Sequence, residues 1–536
     1  MRVGISKKLV YLGLALCIAA SMLAFACAKE TAPKATPTAK PTMATTPAKL
    51  QPKYGGTFRL ISSGSGPENL GSPASVSPRL NPFAPYPCVE HLVHWDEKGL
   101  LVPFLASGWK WGPDFKSLTM TLQKGIKFHD GTDLNAAAAK YCLDLIVFST
   151  KAELKSVASI DVIDDYNIRL NLKQFDNTIL VDMGTVSGLM ISPTAHKAQG
   201  EKAMVLNPVG TGAFKFVSYT RDVSLKYEKF NDYWQKGKPY FDRVETSYIV
   251  DPVTAKASFL AGEGDAVTCS PVDAADLQKK GNFKIAAAPT TLFALAGDGS
   301  HPDSQFANLK VRQAVSYAID TKAIVDAIGY GFFKTANQAA YPGLWSYNPN
   351  VVGYSYNPQK AKELLTAAGY PNGFKTSLTY ATGNAAQDAA CTAIQRYLSD
   401  VGINVQLDPV TAPKFTQVMQ QGWKNSLVVC SPQFPIGYSP LNTISKNISA
   451  RANNFTSVLH PTDIEDKLNQ AFAEPDQDKM AKMVQEIQKM IFDDYCLINP
   501  IYISTSIVAE YPYVQDVQIY EPFGSDWRPY NGWLNK

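Results

Sequence analysis

Residues 423–440, WKNSLVVCSPQFPIGYSP, contain side chains that could hold a small solute. Gln433, Phe434 and Tyr438, with Trp423 and Cys430 nearby, combine aromatic faces with an amide, and Val429 to Ser439 contains no Asp or Glu. Such a lining suits a neutral or weakly polar ligand: an oligosaccharide, an aromatic compound or a capped peptide. The competing reading is that Phe434 and Tyr438 only pack within a Pro-rich loop. Trp345, Trp527 and Arg528 stand in other Pro- and Gly-bearing stretches, and Arg528 has the bidentate fork that an anionic ligand needs. His91 and His94, three apart with Glu90 and Asp96 adjacent, are a weak metal candidate if one helix face carries both; a solvated surface pair is the alternative, and no metal or other cofactor is expected. His129, in a His-Asp-Gly turn, reads as a hydrogen-bonded structural residue.

Two common catalytic signatures are missing. The chain has no Gly-x-Ser-x-Gly elbow and no His-Glu-x-x-His, so a secreted hydrolase remains only as an alternative in which two of the 47 acids converge. Cys88, Cys142, Cys269, Cys391, Cys430 and Cys496 are far apart with no Cys-x-x-Cys, which disfavours zinc; buried free thiols are expected.

The elements that must position these residues alternate between helix and strand without a short repeat, as in an α/β protein. A helix is expected over 358–368, with Asn357 as cap, Pro358 at its first position, Gly369 past its end and Ala361, Leu364, Leu365 and Ala368 on one stripe. A second is expected over 478–492, where Met480, Met483, Val484, Ile487 and Ile491 form a core-facing stripe. Strands are expected at 214–219, 223–227, 244–250, 377–380 and 403–407.

The first 53 residues set the compartment. Arg2, Lys7 and Lys8 precede an uncharged stretch from Leu9 to Ala26, and Ala24-Phe25-Ala26 brackets a cleavable bond before Cys27, so residues 1–26 read as a secretory signal. Cys27 is the expected lipidation site; cleavage by an ordinary signal peptidase and an uncleaved anchor are the alternatives. From Ala28 to Lys53, 22 of 26 residues are Ala, Thr, Pro or Lys, a composition that stays extended as a tether over 27–53. Residues 1–53 carry +7 while the whole chain is +4, which leaves the body at −3 and argues against nucleic-acid binding. With 483 residues and no second long apolar run, the body has room for two or three domains.

Taken in order, YGGTFRL at 54–60, VPFLASGWKW at 102–111, KGIKFHDGTDLNAA at 124–137, NPVGTGAFKFVSY at 207–219, NDYWQKGKPYFDRVE at 231–245, AGEGDAV at 261–267, VRQAVSYAID at 311–320 and YNPQKAKELLTAAGYPNGF at 356–374 resemble extracellular solute-binding protein family 5, the peptide and nickel class of ABC importers. Ala137 and Ala138 replace the acidic pair usual after the His-Asp-Gly-Thr turn. The resemblance implies a two-lobed periplasmic-binding-protein fold of three domains. Lobe I would hold 54–300, with an inserted domain at about 87–190; lobe II would hold 301–490; 491–536 would return to lobe I, and two crossing strands would form a hinge. It further implies a monomer outside the cytoplasm that binds a peptide or peptide-like solute in the interlobe cleft and delivers it to permease and ATPase subunits. A neutral oligosaccharide, an aromatic solute or a nickel complex is the alternative ligand. Residues 423–440 would reach the cleft from the second lobe, where peptide-binding relatives commonly carry an acid for the peptide ammonium. This chain lacks that acid, which weakens the free-peptide reading.

Mass spectrometry of the mature N-terminus is expected to find acylated Cys27; an unmodified Cys27 would leave a protein free of the membrane.

Overall fold

The computed structural model describes residues 50–74, 84–96, 100–148, 154–431, 440–519 and 527–536. The signal, Cys27 and most of the tether lie outside the described residues, as do Gln433, Phe434 and Tyr438.

One eleven-stranded sheet runs through residues 52–536. Its strands in chain order are β1 (Thr57–Ser62), β2 (Phe214–Thr220), β3 (Ser224–Lys229), β4 (Arg243–Tyr248), β5 (Ala266–Cys269), β6 (Lys284–Gly297), β7 (Lys334–Thr335), β8 (Phe374–Ala381), β9 (Ile403–Val410), β10 (Leu427–Cys430) and β11 (Ile498–Glu510). The spatial order is β2-β3-β4-β1-β5-β11-β6-β10-β8-β9, with β7 pairing on β11. β1 lies parallel to β4 and β5, and β8 parallel to β9 and β10, whereas β6 and β11 are antiparallel. All five expected strands are present, and β4 stops at Tyr248 because Asp251 caps a helix starting at Pro252. A separate antiparallel sheet of 106–111, 117–122, 167–172 and 157–164 lies inside the span expected for the inserted domain.

Apolar residues collect at the two ends of the large sheet. One core joins Phe58, Leu118, Phe128, Phe214 and Tyr227 to Val508 and Trp527, and a satellite holds Ile61, Phe259 and Ala509. The other end carries two cores, one around Ala294, Val428, Ile444, Leu468 and Ile487, the other around Leu295, Val315, Leu365, Leu378 and Ile394. The helix expected at 358–368 is Pro358–Ala367: Asn357 Oδ1 accepts from Lys360 N at 2.9 Å, and Ala361 and Leu365 are buried. The Met-bearing helix spans Gln477–Lys489 and runs into a π-turn, Met490–Asp494, with Met480 and Met483 packed against the core. All six body cysteines are free, and all but half-buried Cys269 are buried.

Arg312 shows how this body handles a buried cation. It is 3% exposed on the helix Leu309–Ala318. Its Nε donates to the carbonyls of Tyr495 (3.0 Å) and Cys496 (3.2 Å), Nη1 to Phe306 (2.8 Å) and Ala307 (2.9 Å), and Nη2 to Tyr495 (2.8 Å). Burial lowers the guanidinium pKa, and these carbonyl dipoles oppose that penalty while tying two chain turns to one helix.

Arg312→Ala leaves four buried carbonyls without this donor, so denaturant titration should show a loss of about 3 kcal/mol or more, with Arg312→Lys intermediate because an ammonium has three donors. Glu510, paired with Lys284 at the end of β11, gives a pH prediction. Burial raises its carboxyl to about 7 against the opposing Lys284 ammonium 4.0 Å away. Between the unfolded carboxyl's pKa near 4.5 and about 7, the folded chain keeps a proton that the unfolded chain releases. Stability therefore falls by about 3 kcal/mol as pH rises through that window and levels off above it. Glu510→Gln should flatten this slope in denaturation midpoints measured from pH 4.5 to 8.

Candidate functional site

β6 and β11 join the two sets of cores. Ile285 and Ala509 lie with the cores of β1 and β5, while Leu292, Ala294, Ile498 and Ile503 lie with those of β8 and β10. Between these anchors Ala288 to Thr291 on β6 face Ser504, Thr505 and Ser506 on β11, all of them small or polar, while buried Ile507 and Val508 stand opposite Ala287 and Ala286 at the first-core end. The pairing register shifts at Pro289/Thr291 and again at Phe293/Ala294. Because no bulky side chain bridges 288–291 and 504–506, bending there disturbs little packed surface.

On the first-core side, three residues singled out in the sequence meet. Arg528 is 5% exposed; Nη2 donates to His91 Nδ1 at 2.8 Å, Nη1 to His94 Nδ1 at 3.1 Å, and the guanidinium lies 4.3 Å from the centroid of the Phe104 ring. Glu90, 1% exposed, accepts from Tyr233 Oη (2.8 Å), Thr211 Oγ1 (2.9 Å) and Trp234 Nε1 (3.1 Å). Burial raises the Glu90 pKa, opposed first by the positive charge of Arg528 and then by these donors. This corrects two expectations. The histidines sit on short strands, Glu90–His91 and Val93–Trp95, rather than on a helix, because each pairs with a partner, Leu189–Met190 and Leu101–Pro103. His91 is fully buried, and each Nδ1 lone pair faces an arginine donor, which makes both rings neutral and leaves neither Nδ1 for a metal. Arg528 is bound inside the protein rather than held out as a carboxylate clamp. Trp527, 2% exposed, donates from Nε1 to the Val517 carbonyl at 3.0 Å and packs on Phe58.

Trp423, Cys430 and Trp345 gather in one of the other cores. Trp423 and Cys430 are buried and Trp345 is half-buried. Trp423 N donates to Ser457 Oγ and Ser457 Oγ donates back to the Trp423 carbonyl, both at 2.8 Å. The buried Trp423 indole N–H meets no acceptor among the described residues. Burial pushes the Cys430 thiol pKa far up, so it is an apolar wall rather than a nucleophile. Gln433, Phe434 and Tyr438 fall between the end of β10 and the helix Pro440–Ile448, outside the described residues.

Trp95, missed at the level of sequence, links the two groups. It follows His94 on its strand, donates from Nε1 to the Gly184 carbonyl at 3.2 Å, and packs against the core that holds Trp423. The available signal was strand alternation, which puts His94 and Trp95 on opposite faces.

Among the described residues, a thiol stands beside an imidazole where Cys88 Sγ lies 3.7 Å from His129 Nδ1. Burial raises this thiol to about 12 and lowers the imidazole to about 4, so the pair stays neutral. His129 Nε2 donates to the Gly212 carbonyl at 2.8 Å, the structural role its turn suggested. A cavity of about 500 Å³ opens between β7, β11 and residues 336–356, lined by Asn337, Tyr341, Tyr354, Tyr356 and Asn499 among others; none of the sequence candidates lines it.

Residues 101–447 match the family model described as bacterial extracellular solute-binding proteins, family 5 middle. The chain is 30% identical over 327 residues to the glutathione-binding protein GsiB of Pectobacterium atrosepticum, covering 60% of this chain and 63% of the relative. It is 33% identical over 303 residues to heme-binding protein A of Haemophilus influenzae, covering 51% and 55%. The matches thus span less than two thirds of these curated relatives. Among solved structures, the periplasmic binding protein DppA of Helicobacter pylori in complex with the peptide STSA aligns with TM-score 0.75 and 23% identity over 90% of this chain and 99% of its own. NikA of Brucella suis in complex with Fe(III)-EDTA aligns with TM-score 0.78 and 22% identity over 88% and 98%. These likenesses establish the fold as that of periplasmic binding proteins. The chain belongs to the bacterial extracellular solute-binding proteins of family 5.

Proposed function

We propose that this protein is the substrate-binding subunit of an ABC importer, which captures a peptide or peptide-like solute between two lobes and delivers it to a membrane permease. The observation that carries this reading is the β6–β11 link: two long strands join separate sets of cores through a stretch free of bulky side chains, the arrangement a closing cleft needs. Supporting it, the relatives include proteins named for glutathione and heme, and a structural neighbour holds a tetrapeptide. The division into lobe I at 54–300 with an insert at about 87–190, lobe II at 301–490 and a return to lobe I in 491–536 is kept in outline. The crossings move inside the two strands, because Leu292 to Ala296 and Ile498 to Ile503 pack in the cores of lobe II.

We assign Trp423, Cys430 and Trp345 to the cleft wall on the second lobe, with Trp95 facing it from the first; Gln433, Phe434 and Tyr438, outside the described residues, are the candidates the sequence adds. No acid stands between Val429 and Ser439 to neutralise a peptide ammonium, which favours a solute without a free amine: a capped or modified peptide, or a neutral oligosaccharide or aromatic compound. The Trp423 indole N–H is the donor we assign to a carbonyl or hydroxyl of that solute. The basic tether and Cys27 hold the body at the outer face of the cell membrane.

A thermal-shift screen against peptides, glutathione, heme, oligosaccharides and Ni²⁺ tests the function. A true ligand at 100 times its Kd should raise unfolding free energy by about 2.7 kcal/mol, and the absence of any stabilising solute, or turnover of a bound one, would count against transport. Trp423→Phe should weaken the solute found by roughly tenfold without lowering the melting temperature, because it removes a buried donor that meets no acceptor among the described residues. Unchanged affinity would make Trp423 a packing residue.

A further inference from the structure

Asn177 forms a direct polar bridge between the two sets of cores. It lies in a turn of the first body, next to Ile179 and Leu180, which are buried in the first core. Its Nδ2 donates to the carbonyls of Ala471 at 2.7 Å and Glu474 at 3.3 Å, at the end of the helix Thr462–Ala473. Ile464, Leu468 and Ala471 of that helix belong to a core at the other end of the sheet.

The donor is held ready. Asp176 Oδ1 accepts from Thr178 N (2.9 Å) and Thr178 Oγ1 (2.7 Å), and Asp176 Oδ2 accepts from Ser156 Oγ (2.7 Å), so the turn that presents Asn177 is braced on both sides. Its target is equally specific. The last carbonyls of a helix carry the negative end of its dipole, and among the described residues the Ala471 carbonyl has otherwise only the long 3.4 Å bond from Glu474 N, so the Asn177 amide gives it a closer donor. Asn177 Oδ1, in contrast, is buried and meets no donor among the described residues. Opening would hydrate that oxygen while breaking two hydrogen bonds, so the bridge biases closure without locking it.

We propose that Asn177 is a closure latch, which sets the balance between open and closed lobes before any solute binds. This rests on the two-lobe reading above and adds to it a residue that acts outside the solute's contacts. Trp95, packed on the second core, makes an apolar crossing of the same boundary.

Small-angle X-ray scattering of the full mature chain without ligand tests the latch. Asn177→Ala removes the donor. Asn177→Asp also sets a carboxylate against the helix's negative end, so the radius of gyration should rise for both and more for the second. Gln174→Ala, an exposed change on the same loop, should scatter like the parent protein. The solute identified by thermal shift should bind the Asn177 variants roughly three- to tenfold more weakly, the loss expected of one to two net hydrogen bonds outside its own contacts. Scattering and affinity unchanged in both folded Asn177 variants would overturn the proposal. Failure of the transport reading registers separately, as the lack of any solute that stabilises the parent protein.

Discussion

The antiparallel ladder between β6 and β11 is the constraint on which the rest of the body depends. Its two ends lie in different cores, and its sheet neighbours differ accordingly: β5 takes the outer edge at the first-core end of β11, and β10 takes the edge of β6 at the other. Backbone hydrogen bonding keeps the sheet continuous, while the side chains divide it. Apolar residues supply packing at both ends, and the alanines, serines and threonines between them make the ladder easier to bend than to break.

Burial of polar groups follows a common logic across this frame. Arg312 is surrounded by carbonyls, Glu90 by neutral donors with Arg528 nearby, and Arg528 by two neutral imidazoles and an aromatic face. Each charge meets dipoles that offset desolvation and tie together segments distant in sequence. The C-terminal segment is thereby held to the strands that carry His91 and Trp95, which places Trp95 between the two bodies. Buried, neutral Cys88 and His129 fit the same pattern, in which reactive side chains serve packing rather than chemistry.

Much of the local structure was legible in the chain. Strands at 214–219 and 403–407 and the capped helix after Asn357 follow from short-range patterns in which alternation, a cap and a proline agree. The histidines were harder. A spacing of three suits a helix face, but strand pairing with Leu189–Met190 and Leu101–Pro103 prevailed, a contact that spacing cannot report. Arg528 carried the right charge for a clamp, yet its partners lie 434 and 437 residues away, so nothing near it in the chain announced an internal role.

The sequence by itself determined the family and many of the helices and strands, because ordered motifs and backbone propensities are local properties. Only the tertiary structure decided which side chains meet. It showed where the two strands cross between cores, placed Trp95 against the core of Trp423, and set Asn177 on the end of a helix 294 residues away. Those outcomes depend on desolvation and on partners brought together by folding, and a linear pattern of residue types does not carry that information.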